Sequence, residues 1–230
     1  MVRLHYFKGR GRAETTRWML AVNGIEFENM AIESPQALAD LRASGKLPFD
    51  QMPLLEIDRL NLSQSSAMIR YLARKGDLYG DTDHDALWCD MIAGAVADFA
   101  EAAMQAVFQP TRSAAEEMLK VRFAKFGPRF EACLNRHEAG FSAARRLSFA
   151  DIVLVEAISA YLDWLPDITE HTPLLAALYG RVTAMPAIES YLASPQRYPI
   201  ADHDYVISAA RVLQRALPPH LPDPFRFVGG

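Results

Sequence analysis

Tyr6 closes a short apolar segment, Val2-Arg3-Leu4-His5-Tyr6, and the glycine- and arginine-rich run Gly9-Arg10-Gly11-Arg12 follows, with Arg17 further along. A phenol, several guanidinium groups and a helix N-terminus thus share one small volume at the carboxyl end of a strand. Open α/β sheets bind ligands there. Such groups suit an anion, most usefully a thiolate, because a hydroxyl donor and a nearby cation both favour the charged form. The same residues also fit a plain strand-turn-helix with a surface tyrosine and solvated arginines.

The elements that must position these groups can be read from periodicity. Residues 2–6 read as a buried strand, 11–23 as a helix stopped by Gly24, and 27–32 as a second strand. Ser34-Pro35 supplies an N-cap and an N1 proline for a helix reaching about residue 44. Two short strands follow at 53–58 and 60–62, then a helix over 65–75 closed by Gly76. The order β-α-β-α-β-β-α predicts a small α/β domain with one mixed sheet over residues 1–80. A glycine-bearing acidic linker, 76–83, comes next. Beyond it strand signals vanish, and helices are predicted over 86–107, 113–137, 152–162, 172–184, 186–193 and 203–217, making an all-α domain of residues 84–217. Ser148-Phe149-Ala150-Asp151 reads as a capping box with Asp standing for Glu. Residues 218–230 form a proline-rich tail that cannot be helical through its prolines.

Bulk properties narrow the function classes. With 230 residues, 50% hydrophobic and 23% charged, the chain reads as globular, with one large core or two small ones. A net charge of −4 gives no general attraction to nucleic acid or anionic membrane. No apolar run approaches the ~18 residues of a membrane span, and no secretory leader is expected. Cys89 and Cys133 fall in helical patterns, so no disulfide framework is expected and a cytoplasmic location is. The six His and two Cys lack metal-ligand spacing, so no metal is expected.

Tyr6 with Arg12, Gln51-Met52-Pro53, Gln64-Ser65 ahead of a helix, and the Ser148–Asp151 box occur in an order that resembles a cytosolic glutathione transferase, with the alpha class the nearest fit. The resemblance covers roughly the whole chain. No single motif carries it; the four in order do. It implies a thioredoxin-like α/β N-terminal domain joined to an all-α C-terminal domain, glutathione as co-substrate, and a homodimer. Tyr6 would be the catalytic hydroxyl donor and Arg12 the cation beside the thiolate, although Arg12 also suits an ion pair with Glu101. A free thiol titrates near 8.5, and lowering that by about two pH units takes ~2.7 kcal/mol, the order of one charge-assisted hydrogen bond plus a cation.

The remaining glutathione contacts implied are Arg42 for the glycyl carboxylate, with Gln51 and the backbone of Met52, before a cis Pro53, for the cysteinyl amide. Gln64 and Ser65 would hold the γ-glutamyl carboxylate at a helix N-terminus. Asp98 would reach across the dimer to the γ-glutamyl amine, and Lys125 stands about where the class carries an arginine across that interface. For the apolar substrate the matching positions are Phe7, Gly11, Met104, Phe108, Ala210 and Leu213, with Met104 and Phe108 equally suited to plain core. Phe225 and Phe227 resemble the aromatic end of alpha-class chains, whose last helix lids the pocket. Phe49 matches an aromatic key of the dimer, near Met91 and Phe130. Ser66 and Gly94 replace an arginine and a glutamate of the class, so that ion-pair part of the interface is expected to be missing. Conjugation to electrophilic carbon is the default chemistry implied. Hydroperoxide reduction and ketosteroid double-bond isomerisation use the same site, and a ligandin-like binding protein is the rival of another class. A redox enzyme forming mixed disulfides would want a cysteine where Tyr6 stands.

Overall fold

The computed structural model describes residues 1–136 and 139–221. Its N-terminal part runs β1 (Val2–Tyr6), a 3-10 turn (Gly11–Ala13), α1 (Glu14–Val22), β2 (Phe27–Ala31), α2 (Pro35–Ala43), β3 (Leu54–Ile57), β4 (Leu60–Ser63) and α3 (Ser65–Lys75). The strands form one four-stranded sheet in the order β2-β1-β3-β4. β1 pairs in parallel with β2, while β3 runs antiparallel to both β1 and β4. Period-two alternation puts Leu4 and Tyr6 on one buried face of β1. The strand pairing therefore aims the Tyr6 ring inward, at the end of the strand.

The second part is helical among the described residues: α4 (Asp83–Ala106), α5 (Arg112–Leu134), α6 (Phe149–Leu162), α7 (Pro173–Thr183), α8 (Pro186–Ala193) and α9 (His203–Leu213). α6 is apolar nearly all round, the pattern of a central helix, and packs against α1, α3, α4 and α7. Its capping box is formed as read: both Asp151 oxygens accept bonds, one from the backbone N–H and hydroxyl of Ser148, the other from those of Ser142. One hydrophobic cluster runs from Leu4, Tyr6 and Trp18 through Phe99 and Phe149 to Leu178. α9 returns to the N-terminal part, where Val212 joins Leu38, Leu41 and Leu54.

Three boundaries differ from expectation, each for a local reason. α4 begins at Asp83 rather than 86, because Thr82 caps it and Asp85 completes a capping box inside the stretch read as linker. α5 ends at Leu134 rather than 137, as the Asn135 and Arg136 N–H groups fold back onto the Glu131 and Cys133 carbonyls. It runs unbroken through Gly127-Pro128, where Gly127 leaves room for the Phe123 ring, which would lie 2.6 Å from a Cβ there. α9 stops at Leu213 instead of 217, because Gln214 takes a left-handed conformation (φ 52°) and ends the helix. Phe225 and Phe227 lie outside the described residues.

Candidate active site

Tyr6 sits at the base of a cleft between the two parts of the chain, its ring edge-to-face with Phe7 at 5.2 Å between centroids. The phenolic oxygen accepts a hydrogen bond from the backbone N–H of Arg12 at 3.2 Å. That bond uses only the acceptor side of the hydroxyl, and the Tyr205 hydroxyl lies within hydrogen-bonding reach as well. Only glycine fits at position 11: φ is +41°, and a Cβ would lie 2.6 Å from the Tyr6 hydroxyl. The Arg12 guanidinium pairs with Glu101 across the cleft at 3.1 Å, so the ion pair read from sequence is present.

A buried polar cluster holds this turn in place. Arg17 is 1% exposed; it pairs with Glu14 at 3.0 Å and donates to the carbonyl oxygens of Gly9 and Arg10. Glu14 in turn accepts from Trp18 and from Tyr191 of α8. An unpaired charge here would be costly, so each member fixes the others. Arg10 is tied to Asp163 and to the Tyr198 carbonyl. Arg10 and Arg17 are thus structural, and Arg17 carries far more of the turn than its place on a helix suggests.

Beside Tyr6, the sheet brings Gln51, Met52, Pro53, Gln64 and Ser65 together. The Met52–Pro53 peptide is cis and leads into β3, the neighbour of β1. Gln64 donates to the Gln51 side chain at 2.9 Å. Gln64, not a serine, is the N-cap of α3; its φ of 68° is unusual for a side-chain-bearing residue, and no side chain caps the helix. The N–H groups of Ser65 and Ser66 meet no acceptor among the described residues, which leaves a helix N-terminus suited to a carboxylate. Arg42, exposed on α2, reaches the Asp50 carbonyl at 3.4 Å, next to this group.

The cleft has a volume of about 360 Å³. Phe7, Gly11, Met104, Phe108 and Leu213 line it. Ala210 is a correction: it is buried but does not reach the cleft, because α9 presents the row Tyr205, Ala209 and Leu213, spaced four apart. Tyr205 was not foreseen. Its ring packs on Gly9, where a Cβ would lie 2.2 Å from Cε2, and it stands beside Tyr6. Burial, and then the Tyr6 phenol, raise its pKa above the ordinary tyrosine value. Asp202 caps the start of α9, but no sequence signal fixes which face of that helix meets the cleft. Also unforeseen is a polar inner end formed by Thr15, Glu156, Ser159 and Arg197.

Asp98 and Lys125 are not brought to the cleft within one chain; both are exposed, Lys125 over the Phe126 ring. Phe49 is 63% exposed and Met91 51%. Phe130, in contrast, is buried against Phe99 and Phe126 of its own chain, so it presents no open surface to a partner.

Two family models match the chain: "Glutathione S-transferase, N-terminal domain" over residues 2–74 and "Glutathione S-transferase, C-terminal domain" over residues 97–195. Rat glutathione S-transferase alpha-3 is 36% identical over 213 residues, covering 91% of this chain and 96% of that protein. The chain belongs to the glutathione S-transferase family. Bovine glutathione S-transferase A2 is 37% identical over 216 residues, 92% of this chain and 97% of the relative. Among solved structures, the monomeric glutathione S-transferase Na-GST-3 of the hookworm Necator americanus aligns with a TM-score of 0.73 at 26% identity, over 83% of this chain and 95% of that one. The chain is a glutathione transferase of thioredoxin-like plus helical fold, with glutathione as its co-substrate. No helix of this transferase, among the described residues, is long and apolar enough to cross a membrane.

Proposed function

We propose that this transferase activates glutathione through the Tyr6 hydroxyl and delivers the thiolate to the electrophilic carbon of an apolar molecule held in the cleft. The observation that carries this reading is the Arg12 N–H on the Tyr6 oxygen, which fixes the hydroxyl at the cleft floor while using only its acceptor side. A phenol that already accepts one bond is the better donor of the next. The thiol arrives on a peptide. In this reading Ser65, Gln64 and the N-terminus of α3 bind its γ-glutamyl carboxylate, Gln51 and the Met52 backbone its middle, and Arg42 its far carboxylate. Arg12, already paired with Glu101, adds positive charge beside the sulfur without standing as a free cation.

Phe7, Met104, Phe108 and Leu213 supply apolar walls for the electrophile, and Gly11 the space above Tyr6. The same thiolate serves hydroperoxide reduction. Two copies are proposed to associate through the exposed Phe49, with Asp98 and Lys125, exposed and outside the cleft of their own chain, completing the glutathione contacts of the partner. A cytoplasmic location fits two free cysteines.

The test is retention on immobilised glutathione together with conjugation of a generic aryl halide. Retention with turnover is expected. Retention without turnover would favour a ligandin-like carrier, and loss of both would overturn the site.

A further inference from the structure

The inner end of the cleft differs in character from its walls. Glu156 projects from the middle of α6 into the cleft lining, flanked on the same helix by the apolar Val153, Ala157 and Ala160. One of its oxygens accepts from the Thr15 hydroxyl at 2.7 Å; the other meets no donor among the described residues. Thr15 stands in the first turn of α1, just past Arg12, and both it and Glu156 line the same cleft as Tyr6. Arg17 and Glu14 are already paired with each other, and Arg10 with Asp163. Arg197 reaches Ser159 and approaches Glu14 at 3.8 Å. None of these pairs needs Glu156.

We propose that Glu156 makes the inner end of the cleft a hydrogen-bonding subsite, which selects apolar electrophiles bearing a hydroxyl or carbonyl at the end remote from the reacting carbon. The inference rests on the reading of this cleft as the electrophile site. A carboxyl held against an apolar cleft can serve in either protonation state, as donor when neutral and acceptor when ionised. Its surroundings make that choice sensitive to pH. Burial and then Glu14 push the pKa up, against Thr15, Arg10 and Arg197, to about 7. Below that pH the neutral group donates to a carbonyl; above it the carboxylate accepts from a hydroxyl.

The test uses two aryl halides that differ only beyond an insulating alkyl spacer, one ending in a primary alcohol and the other in a methyl ketone. Both meet the same thiolate, so thiol ionisation and glutathione binding cancel in the ratio of their kcat/KM values. The alcohol-to-ketone ratio is expected to rise about tenfold between about pH 6 and pH 8, with its midpoint near the Glu156 pKa. Glu156→Gln, whose amide both donates and accepts, should give a flat ratio. Thr15→Val, which removes the bond that favours the ionised form, should move the midpoint upward. A flat ratio in the unaltered protein, or a pH dependence that survives Glu156→Gln, overturns the proposal. Should conjugation itself be absent, displacement of a fluorescent apolar dye by halide-free analogues of the pair reads the same ratio. Failure of the subsite and failure of the transferase reading are thereby distinguished.

Discussion

The backbone N–H of Arg12 and the phenolic oxygen of Tyr6 stand 3.2 Å apart, and no side chain intervenes because residue 11 is glycine. The main chain of the turn, rather than an arginine side chain, therefore orients the hydroxyl. Tyr6→Phe is expected to raise the pKa of the bound glutathione thiol by about one to two pH units, roughly 1.4–2.7 kcal/mol, with little change in glutathione affinity. Thiolate absorbance followed against pH measures this; an unchanged midpoint would remove Tyr6 from the chemistry.

Gly11 and Gly24 both have positive φ, but only Gly11 has a neighbour within reach of an added Cβ. Gly24→Ala should cost about 1 kcal/mol of stability and leave turnover intact. Gly11→Ala should depress kcat strongly by displacing Tyr6. Equal effects of the two substitutions on turnover would contradict the close packing of the turn.

Asp151 accepts four hydrogen bonds at 2.7–2.8 Å, tying Ser142 and Ser148 to the start of α6. Asp151→Asn keeps one acceptor oxygen and turns the other position into a donor facing donors. A loss of about 2–3 kcal/mol is expected in urea unfolding. A midpoint equal to that of the unaltered protein would show the network to be dispensable.

Burial pushes the Cys89 thiol up to about 11, and Cys133 is raised as well. Neither should be alkylated by iodoacetamide near neutral pH at the rate of a free thiol, because the thiolate is the reactive form. Intact mass measured over time is the check. Unfolding in denaturant should restore normal reactivity at both positions.

Phe49 and Met91 are exposed apolar side chains. If two copies associate as proposed, Phe49→Ser should shift them toward monomer in sedimentation experiments without altering thermal stability much. Phe130 is already enclosed by its own chain, so Phe130→Ala should instead destabilise the fold, by about 3–5 kcal/mol.

How much of this was legible in the sequence depended on how local each signal was. β1, α3 and the Ser148–Asp151 box follow from alternation, a glycine stop and side-chain capping, all within a few residues, and they appear where read. The Thr82–Asp85 box was equally local but hidden in acidic residues that resembled a linker. The end of α9 was illegible because nothing in Gln214 announces a left-handed residue. Around the site, positions contributed by β1 and the start of α3 follow from motif order. Those that depend on helix rotation do not: Ala210 turns aside while Tyr205 and Ala209 face the cleft. Glu156 and Thr15 are 141 residues apart in sequence, and no local pattern links a mid-helix glutamate to a first-turn threonine.

α9 docks on α2 and on Gly9, both in the half of the chain made first. The last helix among the described residues thus adds a tie between the two parts of the chain. Separating the two parts would have to undo this seat as well as the packing of α1 on α6 and α8. Trimming Val212 in its seat among Leu38, Leu41 and Leu54 therefore loosens a tie between two parts of the fold that lie roughly 160 residues apart in the chain, not just one helix.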